Sequence, residues 1–170
     1  LAAKYPWIDG TRVGIHGHSG GGFMSTAAIL TYPDFYKVAV SCAGNHDNRI
    51  YNRWWSEQHH GITEKVSEQG DTSFVYKIDT NPEIAKNLKG HLLLVHGDID
   101  DNVHPANTIR VVNALIRANK RFDMLILPGQ KPGFGDMNEY FFWRMADYFS
   151  QHLLGESQRD STDIVQMNND

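Results

Sequence analysis

The chain has little of what marks several large classes of protein. It contains one cysteine, Cys42, so no disulfide can form within it. No apolar run approaches the length of a transmembrane helix, and no signal peptide opens the sequence. Its 16 basic residues are scattered among 20 acidic ones, and the net charge of -4 leads us to expect no nucleic-acid partner. The remaining composition is that of an ordinary globular protein, with 41% hydrophobic residues.

A short motif near the start gives the first indication of chemistry. Gly17-His18-Ser19-Gly20-Gly21 is a G-x-S-x-G box between a strand-like run and a helix-like run. This context predicts a nucleophile elbow, in which Ser19 attacks an acyl carbon and small neighbours let strand and helix approach. The N–H of Gly20 would then lie at a helix N-terminus, where it can stabilise an oxyanion. The alternatives are a glycine-rich turn without chemistry and a phosphate loop, and the missing Lys-Ser/Thr pair disfavours the phosphate loop.

The pattern of apolar segments predicts an α/β fold. We expect an α/β-hydrolase-like, mostly parallel sheet with helices on both faces, covering residues 1–154 and followed by a polar tail at 155–170. Residues 44–90 are irregular in pattern and are expected to form an excursion of loops and short helices. The predicted strands cover residues 12–18, 36–43, 91–96 and 122–127, and the predicted helices cover residues 19–31, 82–88, 105–119 and 138–154. A complete domain of this class needs roughly 250 residues, so we expect the chain to be its C-terminal part.

Catalytic groups in such sheets follow the carboxyl ends of strands, in the chain order Ser, Asp, His. Asp98, Asp100 and Asp101 come directly after the apolar run at 91–96, and one of them could orient an imidazole. The alternative is a solvated acidic loop or a weak cation site. The loop after the last predicted strand, residues 127–135, should carry the base but contains no histidine.

The other histidines are weighed as substitutes or as ligands. His16 and His18 could share a strand face, but we expect no metal and no cofactor. His46 is expected near the cleft, His59 and His60 at the surface, and His152 on the wrong side of the sheet. None of these histidines occupies the expected position of the base.

Three aromatic residues of the excursion form a second candidate feature. Tyr51, Trp54 and Trp55 either pack the excursion onto the sheet or form a hydrophobic specificity pocket beside Ser19. The sequence leaves both interpretations open.

These motifs together resemble the prolyl oligopeptidase family of serine peptidases, and most closely its dipeptidyl-peptidase IV-like branch. Three stretches carry the resemblance, and their order and spacing agree over nearly the whole chain. They are residues 5–21 with the serine box, residues 96–104 with the run His96-Gly97 and Asp100-Asp101-Asn102-Val103-His104, and residues 127–134 with Leu127-Pro128-Gly129-Gln130.

The resemblance implies a role for particular residues. Ser19 matches the nucleophile, Gly20 an oxyanion donor and Asp100 the triad acid. Four further residues match the substrate site, namely Asn102 and Val103, and the pocket aromatics Tyr51 and Trp55. The implied activity is release of dipeptides from the N-termini of peptide substrates. A periplasmic or secreted location and a homodimer, to which the aromatic helix at 138–154 could contribute, are further implications.

The sequence departs from the family pattern at several positions. Gly20 stands where many members have an aromatic residue, and Pro132 stands where the family has its catalytic histidine. The second oxyanion donor, the β-propeller and the acidic residues that hold the substrate amine are expected outside this chain. Three hypotheses therefore follow: an active dipeptidyl-peptidase-like enzyme, an inactive peptide-binding homologue, and an esterase or acylaminoacyl-peptidase on the same fold.

Overall fold

Eleven labelled helices and strands are built from residues 1–155, which are the residues that the computed structural model describes. The predicted polar tail lies outside them, apart from Gly155. The strands are β1 (Val13–His18), β2 (Tyr36–Cys42), β3 (Ile62–Val66), β4 (Thr72–Tyr76), β5 (His91–Gly97) and β6 (Asp123–Leu127). The helices are α1 (Gly20–Thr31), α2 (Arg53–His60), α3 (Asn81–Ile84), α4 (Ala106–Arg117) and α5 (Asn138–Phe149).

Four strands form a parallel sheet in the order β1-β2-β5-β6, which confirms the predicted strands to within one residue at each end. His18 pairs with Cys42, and Cys42 pairs with Val95. Gly97 pairs with Leu127 at the same edge. The carboxyl ends of all four strands therefore meet at one edge of the sheet, as expected for a site built from strand-end loops.

The two faces of the sheet bury separate apolar clusters because successive side chains along a strand point in opposite directions. Val38, Val40 and Cys42 of β2 face the side covered by α5. Ala39, between them, faces the side covered by α1 and α4. Helices cover both faces, as predicted, and β2 and β5 are buried between them.

The excursion contains more regular structure than its sequence pattern indicates. The short helix predicted at 82–88 is present as α3 and a 3-10 turn over Ala85–Asn87. Neither the position of helix α2 nor the antiparallel hairpin of β3 and β4 was predicted. Its residues include Ile62, Val66, Phe74 and Val75, which are β-branched or aromatic and favour strands. Both faces of the hairpin are exposed among the described residues. Apolar and polar residues therefore do not alternate along β3 and β4, and the sequence shows no strand periodicity there.

The last helix packs on the sheet through one side only. Phe141 and Tyr148 of α5 enter the core, whereas Phe142 is 54% exposed. The helix continues as a π-helical turn over Ser150–Leu154. No helix within residues 1–155 is long and apolar enough to cross a bilayer. The homodimer stays a prediction.

Candidate active site

The serine box forms a sharp turn between β1 and α1. Ser19 has φ 57° and ψ -118°, a conformation that non-glycine residues adopt only where the surroundings enforce it. Its N–H donates to the carbonyl of Cys42 at 2.8 Å, which fastens the turn to the end of β2. The turn therefore has the strained backbone predicted for a nucleophile elbow.

Glycines are required at two places around this turn. A Cβ at Gly17 would collide with the backbone carbonyl of Gly21, and a Cβ at Gly22 would collide with the carbonyl of Cys42. A Cβ at Gly21 would meet open space. The expectation that Gly21 itself must be small is thus wrong, since its backbone rather than its missing side chain makes the close contact.

The hydroxyl of Ser19 has no hydrogen-bond partner among residues 1–155. The N–H of Gly20, by contrast, opens α1 and so belongs to the first turn, which has no intrahelical acceptor. A donor for a developing oxyanion is therefore present beside Ser19, whereas a hydrogen-bonded base is not.

Asp100 is the buried acid of the loop after β5. Its Oδ1 accepts hydrogen bonds from the N–H groups of Asn102 at 2.9 Å and Val103 at 2.8 Å. Its Oδ2 is buried without a hydrogen bond. The Nε2 of His96 lies 3.3 Å from Oδ2 but donates to the Val103 carbonyl at 2.8 Å. One oxygen of the carboxylate is thus fixed by the backbone, and the other lacks the donor that a triad imidazole would supply.

The other two acids join this loop to the loop after β6. Asp98 Oδ1 accepts the N–H of Gly129 at 2.6 Å. Asp101 accepts from Lys131 Nζ at 2.9 Å, and this hydrogen bond lowers the pKa of Asp101. Of the three acids predicted as alternatives, only Asp100 is buried, and Asp98 and Asp101 hold the two loops together.

The loop after β6 carries Pro132 where the base was expected. The imidazole of His18, from the serine box, packs on the same loop. Its ring packs edge-on against Phe134, with the centroids 5.2 Å apart. Desolvation lowers the pKa of His18 below its usual value, and the Asp100 carboxylate and the Pro132 backbone offset only part of this lowering. The sequence analysis weighed His18 as a metal ligand and missed this position beside the acid.

Two of the three aromatic residues of the excursion lie together beside the elbow. Tyr51 meets Trp55 edge-on, with the ring centroids 5.6 Å apart. A Cβ at Gly20 would lie 3.4 Å from the Trp55 ring, which is van der Waals distance, so the indole lies directly beside the elbow. Trp54 is 75% exposed and takes no part in the cluster.

Asn102 and Val103 follow Asp100 at the same edge of the sheet. Asn102 is exposed, and its N–H binds Asp100. The Val103 side chain is buried, and its carbonyl accepts from His96. In the described residues, Val103 therefore supports the acid loop from within.

Two histidines lie elsewhere than expected. His46 is fully buried and does not face a cleft, because its Nδ1 accepts a hydrogen bond from Asn81 at 2.9 Å. Burial, with a smaller effect from His96, lowers the pKa of His46 to about 3. His60 is also buried, edge-on against Phe23, rather than at the surface. Within residues 1–155 no group of three or more potential metal ligands occurs.

Known proteins are similar to this chain in both sequence and fold. Dipeptidyl peptidase 8 of Homo sapiens is 31% identical over 155 residues, which are 90% of this chain and 17% of that protein. A dipeptidyl aminopeptidase IV-type protein of Bacteroides ovatus superimposes with a TM-score of 0.77 and 31% identity, covering 89% of this chain and 21% of that one. Dipeptidyl peptidase 4 of Porphyromonas gingivalis superimposes with a TM-score of 0.73 and 29% identity, covering 87% of this chain and 20% of that one.

The chain therefore spans only about a fifth of the length of these relatives. The likeness confirms the α/β-hydrolase-like fold class. Residues 1–156 match the profile of the Prolyl oligopeptidase family across the serine box, the acid loop and the loop with Pro132. The chain belongs to the prolyl oligopeptidase family of serine peptidases.

Proposed function

We propose that the protein carrying this chain is a serine peptidase that releases dipeptides from peptide N-termini, with Ser19 as its nucleophile. The observation that carries this proposal is the strained elbow of Ser19 at the same sheet edge as the buried carboxylate of Asp100. The relatives' names, dipeptidyl peptidase and dipeptidyl aminopeptidase, support the substrate class.

Each group at this edge has a part in acyl transfer. Ser19 Oγ attacks the scissile carbonyl, and the N–H of Gly20 stabilises the oxyanion that forms. Asp100 stabilises the positive charge of the imidazole that takes the serine proton. Tyr51 and Trp55 form the apolar wall that receives the substrate side chain next to the scissile bond. Asn102, which is exposed, lines the site, and the buried Val103 holds the acid loop in place.

Pro132 makes the activity testable by a single substitution. The Pro132→His variant is expected to supply an N–H for the unpartnered Oδ2 of Asp100 and a base for Ser19. We expect this variant of the full-length protein to react with a fluorophosphonate probe at Ser19 at least about 100-fold faster than the unmodified protein. Peptide mass spectrometry identifies the labelled residue, and Ser19→Ala with Pro132→His is the control.

Labelling that persists in the Ser19→Ala control would contradict the assignment of the nucleophile. Labelling that is equally fast with proline or histidine at position 132 would show that this position has no part in the activation of Ser19.

A second candidate is an inactive homologue that binds peptides. The Ser19 hydroxyl without a hydrogen-bonded base among residues 1–155, together with Pro132, favours this candidate. It predicts no labelling of Ser19 in the unmodified protein, while proline-containing peptides still bind beside Tyr51 and Trp55. Stoichiometric labelling of the unmodified protein at Ser19 would eliminate it.

A further inference from the structure

The described part of the chain contains all nine histidines, and eight of them make ring or hydrogen-bond contacts with residues other than Ser19. His96 and His46 are buried in hydrogen bonds, and His60 packs on Phe23. His91 and His152 stack on each other at the opposite end of β5. His16 meets the Phe149 ring edge-on, and His59 stacks on Trp55. His104 accepts a hydrogen bond from the Ala106 N–H.

His18 is the histidine that adjoins the nucleophile in the chain and packs on the loop that carries Pro132. It directly precedes Ser19, so their Cα atoms are about 3.8 Å apart. Its ring packs on Phe134 in the loop after β6. Desolvation lowers the pKa of His18, and the Asp100 carboxylate and the Pro132 backbone partly offset that lowering. The imidazole therefore occupies the space beside the loop in which the sequence lacks its histidine.

The ring of His18 is also chemically able to accept a proton. Its side chain is exposed among the described residues, so substrate and solvent can reach it. The neutral ring carries one N–H and keeps a lone pair on its other nitrogen. The nearby carboxylate of Asp100 stabilises the imidazolium that forms when that lone pair is protonated.

We propose that His18 is the general base of this site and takes over the work that position 132 cannot do. The inference rests on the proposed function, because it needs Ser19 as nucleophile. The Ser19 proton passes to the free ring nitrogen of His18, directly or through one water, as the Oγ–C bond forms. The carbonyl electron pair moves to the oxygen held by the Gly20 N–H.

Collapse of this intermediate breaks the C–N bond, and the leaving amine takes the proton from His18. Water then repeats the sequence on the acyl-enzyme: its proton goes to His18 as its oxygen bonds to the acyl carbon, and the proton returns to Ser19 Oγ as the ester bond breaks. An unbonded Ser19 hydroxyl agrees with this account, since catalytic hydrogen bonds often close only when substrate is bound.

The test is a crossed set of variants in the full-length protein, assayed with an Xaa-Pro-arylamide. In the background with Pro132, His18→Gln is expected to lower kcat/KM at least about 100-fold. In the background with Pro132→His, the same substitution is expected to change kcat/KM less than about 3-fold, because the restored histidine is then the base. His16→Gln, two residues earlier on the same strand, is the matched control and should have no effect in either background.

The double variant controls for folding, because activity of His18→Gln with Pro132→His shows that the glutamine is tolerated. If His18→Gln lowers kcat/KM equally in both backgrounds, the inference is overturned and His18 has only a structural role. Turnover that depends on Ser19 only when histidine stands at position 132 would overturn it as well, while leaving the proposed function intact. Absence of Ser19-dependent turnover in every variant would overturn the proposed function itself.

Discussion

Asp100 and Pro132 define the chemical problem of this site. The carboxylate is buried, and two backbone N–H groups hold one of its oxygens, yet the second oxygen has no donor. A buried polar atom without a partner costs free energy, so its persistence calls for an explanation in the chemistry of the site. A proline ring cannot donate to it, and a histidine at the same position could. On the proposed function, this oxygen is the one that would accept a hydrogen bond from the catalytic imidazole.

Trp55 and its neighbour Trp54 offer a direct test of the specificity pocket. Trp55 contacts Tyr51 and approaches the position of Gly20, whereas Trp54 is 75% exposed. We expect Trp55→Ala to raise KM for a proline-containing substrate by about 10-fold or more, because a large apolar wall is lost. Trp54→Ala should leave KM unchanged. Steady-state kinetics of both variants decide this, and equal effects would argue against a pocket at Trp55.

The turn from β1 to α1 depends on close backbone contact. Gly21 and Gly22 are adjacent in α1, but only a Cβ at Gly22 would collide with the Cys42 carbonyl. We expect Gly22→Ala to lower the free energy of unfolding by about 2 kcal/mol or more. Gly21→Ala should be neutral or stabilising, since alanine favours helix by about 1 kcal/mol over glycine.

Chemical unfolding monitored by circular dichroism measures both glycine variants. A tolerated Gly22→Ala substitution would show that helix α1 can move away from the end of β2. In that case the strained conformation of Ser19 would not depend on close packing at this point.

Sequence patterns located the sheet well because its central strands are buried on both faces. The continuous apolar run at 91–96 needs no partner to be recognised as a strand, and the serine box is local in the chain. The hairpin of β3 and β4 was missed because its exposed strands have no alternation. The sequence could not show that Trp55 contacts the elbow while Trp54 is exposed, because this depends on how α2 lies against the elbow.

The histidines show a different limit of sequence reasoning. His46 is buried because Asn81, 35 residues further along, donates to its ring. His18 approaches Asp100 only because β1 and β5 end at the same edge of the sheet. Neither relation is visible in local periodicity. The sequence could therefore point to the acids after β5, but not to the surroundings of the histidines.

Stability should depend on pH through the buried histidines. The folded state lowers the pKa of His46 from 6.5 to about 3 by burial, and it also lowers the pKa of His60 and His96, chiefly by desolvation. A lowered histidine pKa means that the unfolded chain binds protons first, so this stability is complete above about pH 6.5 and is lost as pH falls towards 3.

We therefore expect the urea midpoint of the catalytic domain to fall steadily between pH 7.5 and pH 4.5. His46→Gln should be less stable at pH 7.5, because the hydrogen bond to Asn81 is disturbed, but should show a shallower dependence on pH. A midpoint that is constant over this range would contradict the burial of His46 as a neutral ring.

The central claim is that Ser19, at the carboxyl edge of the sheet, is the nucleophile of a peptidase site. In that site Pro132 occupies the position where the family has its base. The most direct test measures hydrolysis of an Xaa-Pro-arylamide by the full-length protein with Pro132→His, with and without Ser19→Ala. The account predicts a kcat/KM for Pro132→His at least about 100-fold above that of the unmodified protein, and its loss by about 10^4-fold or more when Ser19 is also replaced. Hydrolysis that is unchanged by Ser19→Ala, or absent despite the histidine, would contradict it.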